Sequence, residues 1–162
     1  MNIDTSKLYN VYFADTISFG LRTSKSQLNG IFRDGRITSL LMEKIIPNYF
    51  SNLTPCENAG SKFDMVMQTG SKKKKHKVEV KVMTKNGLCI NQSKTLGVGR
   101  SGKQDYTWRE SIDYFMFINI TTFPMVQVTL VANEQIPEIT NKFTINTALE
   151  LFFNKPEVAV MG

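Results

Sequence analysis

Asp64 stands near the start of one apolar segment, FDMVMQT, and Glu79-Val80-Lys81 lies within the next, HKVEVKVMT, with the turn TGSKKKK between them. Strict alternation in the second segment predicts a strand with Val78, Val80 and Val82 on one side. Lys77, Glu79, Lys81 and Met83 fall on the other, because strand side chains change face at every residue. If the two segments pair as a hairpin, Asp64, Glu79 and Lys81 converge as two carboxylates and an ammonium. That set suits phosphodiester hydrolysis. Mg2+ is held by one or two carboxylates together with water and phosphate oxygens, and Asp64 and Glu79 would be those carboxylates. The Lys81 ammonium would orient or help deprotonate the attacking water and offset charge growing on the phosphate.

The spacing alone carries little weight. Among 14 acidic residues in a lysine-rich chain, about one acid-x-Lys match is expected by chance, and one occurs. The weight lies in the context: a β-branched alternating strand, an Asp-bearing strand just upstream, and a helix before both. That helix is expected from Asp34, which can cap it, through Ile37, Leu40, Leu41, Ile45 and Tyr49 at helical spacing, with Pro47 bending or ending the run. SNLTPCENAGSK reads as a loop, GLCINQS as a third strand, and TLGVGRSGKQD as a glycine-rich basic loop. YTWRESI reads as a short helix, YFMFINI and MVQVTLVA as apolar central strands, and INTALELFFN as a closing amphipathic helix. Residues 1–30 show no clear period, which leaves a short helix or an arm on a partner, and KPEVAVMG has no assigned structure.

At 162 residues, 41% hydrophobic and 21% charged, the chain is expected to form one domain with a single core. Its divisions would be an arm or subdomain over 1–33, a core over 34–132, and a helix and tail over 133–162. No apolar run reaches membrane-spanning length, and the start lacks the pattern of a signal peptide, so a cytoplasmic protein is expected. Cys56 and Cys89 have no CxxC spacing, and His76 stands alone among lysines, which argues against a disulfide scaffold and a zinc site. The formal charge of +6 favours a polyanionic partner. Lys73, Lys74 and Lys75 sit in the strongest local run of charge, readable either as a solvated turn or as a grip on phosphates. Arg100, Lys103 and Gln104 could read base edges. Trp108, Phe115 and Phe117 read as core.

Asp64 followed by Glu79-Val80-Lys81 on the next strand resembles the PD-(D/E)XK nuclease superfamily, which includes small type II restriction endonucleases, over roughly residues 34–132. Phe63 stands where the motif has Pro. The resemblance implies an α/β, restriction-endonuclease-like core in which a central mixed sheet of about five strands is flanked by helices. The element order would be helix, strand, strand, strand, helix, strand. It implies Asp64, Glu79 and Lys81 as the catalytic set, with Mg2+ as cofactor and Mn2+ able to substitute. Glu43 on the helix would be a further metal ligand, and Gln92 a polar neighbour of the centre. The expected partner is double-stranded DNA, cut by a homodimer because two strands are most simply met by symmetry. A junction resolvase, a nickase, a repair nuclease and a non-catalytic basic nucleic-acid-binding protein stay open as alternatives.

Overall fold

The computed structural model describes residues 1–12, 24, 26–27, 30, 35–56, 62–91, 107–123, 125–137 and 142–160. Among these residues nine strands build one mixed sheet: β1 (Leu8–Tyr12), β2 (Leu53–Pro55), β3 (Met65–Thr69), β4 (Lys74–Thr84), β5 (Gly87–Cys89), β6 (Tyr114–Asn119), β7 (Met125–Ala132), β8 (Lys142–Phe143) and β9 (Glu157–Val160). Their order is β2-β3-β4-β6-β7-β1-β9, with β5 antiparallel to the far end of β4 and β8 paired to β5. The β4–β6 and β1–β9 pairs are parallel, and the rest are antiparallel.

The mixed α/β class agrees with expectation, but nine strands replace the expected five or so. The additional ones are short. The segment read as an arm contains β1, which fits between β7 and β9, and the unassigned tail contains β9. The segment read as a loop contributes β2 to the edge beside β3. Such segments are too brief or too mixed to show a period of two, and their partners make them strands.

Alternation on the central strands divides the apolar residues between two cores. Met116 and Ile118 of β6, Val126, Val128 and Leu130 of β7, and Val78 and Val80 of β4 face one side. Against that side packs α1 (Gly35–Ile45), through Met42. The chain then tightens into a 3-10 turn, Ile46–Tyr49, with Pro47 near its start, as the proline requires. The buried line of the helix is Thr38, Met42 and Ile46, at i, i+4 spacing, whereas Ile37 and Leu40 of the expected stripe are exposed. Asp34, the expected cap, lies outside the described residues.

Phe115 and Phe117 face the other side, together with Val131, Leu8 and Met83. There α2 (Ile145–Phe152) covers them, with Phe152 against Phe117 at a ring separation of 4.8 Å. The helix starts cleanly because the Thr144 hydroxyl accepts the Thr147 N–H. Gly87 adopts φ +96°, and a side chain there would collide with the Phe143 carbonyl, so β5 and β8 meet where only glycine fits. No helix among the described residues is long and apolar enough to cross a membrane.

The connection between the parallel strands β4 and β6 contains β5 and a 3-10 turn at Thr107–Ser111. This turn is the short helix expected over YTWRESI.

Candidate active site at the β3–β4 junction

β3 and β4 form the expected antiparallel hairpin, with Met65 opposite Val78 and Thr69 opposite Lys74. Asp64 stands one residue before β3, where the chain has left the β4 ladder. Its own N–H still donates to the Val78 carbonyl at 3.0 Å. Its carboxylate Oδ2 accepts the Val80 N–H at 2.7 Å. A side chain thus takes the place of the ladder partner that β3 no longer offers, and this bond holds the carboxylate against β4.

On β4, Glu79 and Lys81 share the face opposite Val78 and Val80, and their neighbours on β6 are Phe115 and Phe117. The Lys81 Nζ donates to Glu79 Oε1 at 2.7 Å, and only 10% and 12% of the two side chains, respectively, is exposed. The pair is therefore nearly closed, and water screens it little. The Glu79 carboxyl is pushed up to about 7, first by burial and then by the negative charge of Asp64, against the opposing pull of Lys81. Burial also raises Asp64, while the Val80 N–H, Lys81 and the neighbouring Glu79 carboxyl hold it down. Asp64 and Glu79 thus form a carboxyl dyad in which the charge of Asp64 favours a protonated Glu79.

Glu43 approaches the same centre from α1. Its Oε1 accepts the Ser39 hydroxyl at 3.0 Å, and its carboxyl is raised by burial and then by Asp64, with Lys81 opposing. It is half-buried on the sheet side and within electrostatic reach of the dyad. Among the described residues, however, no group of three His, Cys, Asp or Glu side chains is placed to hold a metal. The charges of Asp64 and Glu43, and of Glu43 and Glu79, nevertheless act on one another across this centre.

Gln92, Arg100, Lys103 and Gln104 lie outside the described residues. Lys73, Lys74 and Lys75 are exposed at the hairpin tip, where the Lys73 N–H donates to the Gly70 carbonyl at 3.1 Å. Gly70 and Lys73 turn the chain with φ of +68° and +50°. Lys77 is more restrained, with its Nζ 5.8 Å from the Phe63 ring centroid and its N–H donating to Asp113 Oδ2 at 2.7 Å. His76 is half-buried, with Nε2 2.8 Å from the Thr69 hydroxyl and its ring edge-on to Tyr114. Neither Cys56 nor Cys89 is in a disulfide.

Phe115 and Phe117 are core, as expected. Trp108 belongs to the same apolar cluster, but it also lies beside the site: the Lys81 Nζ sits 5.4 Å from its ring centroid. Nothing in the residue spacing signals this contact, because the intervening connection exceeds twenty residues.

Comparison with known proteins finds no family model that matches the chain, no similar curated protein and no similar solved structure.

Proposed function

We propose that the protein is a Mg2+-dependent endonuclease hydrolysing DNA phosphodiester bonds at Asp64, Glu79 and Lys81, within a restriction-endonuclease-like core. One observation carries this reading: Asp64, aimed by its bond to the Val80 N–H, and Glu79 stand within electrostatic reach of one another, with the Lys81 ammonium 2.7 Å from Glu79, at the end of a basic hairpin. A dyad that retains a proton near neutral pH is a site where a divalent cation can take the proton's place. Mg2+ or Mn2+ held by Asp64 and Glu79 would supply Lewis-acid polarisation of the phosphate, with water and substrate oxygens filling the positions the protein leaves open. Asp64 stays aimed through its bond to Val80, and Lys81 would turn its freed donors toward a phosphate oxygen. Lysines at the hairpin tip would add affinity indifferent to sequence. Cutting both strands of a duplex would call for a homodimer, whereas a nickase, resolvase or repair nuclease would use the same centre differently.

A second reading is favoured by the closed Glu79–Lys81 pair, so little of which is exposed. In it the pair is a structural tie on a sheet, and the chain is a basic nucleic-acid-binding protein. Supercoiled plasmid incubated with the protein in Mg2+ and in EDTA separates the two. Nicked or linear product only with Mg2+ supports the nuclease, and binding with intact plasmid in both supports the second reading.

A further inference from the structure

We propose that Trp108 is a positioning residue for Lys81, its indole face fixing where the ammonium stands beside Glu79. As a contribution to catalysis this rests on the nuclease reading. As a contact it stands on geometry. A lysine has a flexible four-carbon stem and about 2 kcal/mol of rotamer entropy, so an ammonium used at a set place must be held there. The Lys81 stem rises from a sheet face whose β6 neighbours are Phe115 and Phe117, and among the described residues its Nζ donates to one acceptor, Glu79 Oε1. Trp108 supplies a second restraint of another kind. Its ring centroid is 5.4 Å from the Nζ, inside the reach of a cation–π contact, and indole is the strongest such partner among side chains.

The platform is itself anchored. Trp108 meets Phe115 edge to face at 5.9 Å, and its carbonyl accepts the Ser111 hydroxyl at 2.8 Å. The next residue, Arg109, is buried and donates to Asn133 Oδ1 and to the carbonyls of Ile136 and Pro137. Asn133 returns two bonds through Nδ2, to the carbonyls of Arg109 and Ile112. The 3-10 turn is thereby tied to the segment after β7. A chain of fixed groups runs from Asn133 through Arg109 and Trp108 to Lys81, and it gives the buried arginine a purpose beyond packing.

Trp108 is the one tryptophan of the chain, so biosynthetic incorporation of fluorinated tryptophans alters this ring alone. Fluorine withdraws electron density from the ring face with little change of shape. The Lys81 ε-methylene resonance, read in lysine-labelled protein without metal or DNA, is expected upfield from ring current in the parent and shifted back in Trp108→Leu. Single-turnover cleavage should slow stepwise with fluorination and by roughly two- to thirty-fold in Trp108→Leu, the range a cation–π contact spans, with Trp108→Phe intermediate and DNA affinity unchanged. A Lys81 resonance identical in the parent and in Trp108→Leu, or cleavage indifferent to fluorination, overturns the proposal. A parent protein that shows the upfield resonance yet cuts no DNA overturns the nuclease reading alone, because the resonance decides the contact without substrate.

Discussion

The carboxylate of Asp64 accepts the backbone N–H of Val80 at 2.7 Å, so one side chain both closes the β4 ladder and presents a charge to Glu79. Structural and chemical roles at this position can be separated by substitution. Asp64→Asn keeps an oxygen for the Val80 N–H and should fold with nearly parental stability, yet lose cleavage. Asp64→Ala leaves the donor without its partner and should lose about 1–3 kcal/mol besides. Thermal melts beside plasmid cleavage check both. Equal stability of the two variants would show that the bond to Val80 contributes little.

The dyad gives a pH dependence whose sign is fixed. The Glu79 carboxyl titrates near 7 in the folded protein, against 4.5 ordinarily. Between those values the folded state holds a proton that the unfolded chain has released, so metal-free stability should fall as pH rises through that window. Asp64 and Glu43, also raised, act in the same direction. Glu79→Gln should flatten much of the slope and melt higher than the parent above pH 7. Melts in EDTA from pH 5 to 8 read this directly, and Mg2+ should bind more tightly as pH rises across the same window, since the ion must displace the proton.

Much of this centre was legible in the chain because its parts are close in sequence. Asp64 and Glu79-Val80-Lys81 lie on two strands joined by one turn, and the valine alternation sets which side Glu79 and Lys81 share. Pro47 marked the end of α1 for an equally local reason. What escaped depends on distant partners. Leu8–Tyr12 mixes polar and aromatic residues and becomes a strand only between β7 and β9. Trp108 reaches Lys81 through a long connection, and its composition suits a core residue equally well. The face of α1 was half legible: the helical period is present, but Ile37 and Leu40 continue it onto solvent, and Thr38 takes a buried place that an apolar count passes over.

The lysines at the hairpin tip test the partner independently of the chemistry. Replacing Lys73, Lys74 and Lys75 by Gln should weaken binding to all DNA sequences alike. The dependence of log affinity on log salt should flatten by about two to three units if all three touch phosphate. Fluorescence anisotropy across a salt series checks it. The parental slope in the triple variant would return the run to a solvated turn and move the grip to Lys77 or to the basic segment holding Arg100 and Lys103.

Ca2+ offers a control on the metal. Its longer and less regular coordination should support DNA binding without turnover. Cleavage in Ca2+ as fast as in Mg2+ would contradict the Mg2+ chemistry proposed for Asp64 and Glu79.

Whether Asp64, Glu79 and Lys81 cut DNA is decided by single-turnover cleavage of plasmid at saturating protein. Parent, Asp64→Asn and Lys81→Met would be compared in Mg2+ after their folding and DNA affinity are matched. The parent should cleave and EDTA should abolish the cleavage, with a loss of at least about a hundred-fold in each variant, the size of contribution expected of a positioned group that stabilises charge in the transition state. An intact plasmid with the parent, or parental rates in either variant, would contradict cleavage at these residues.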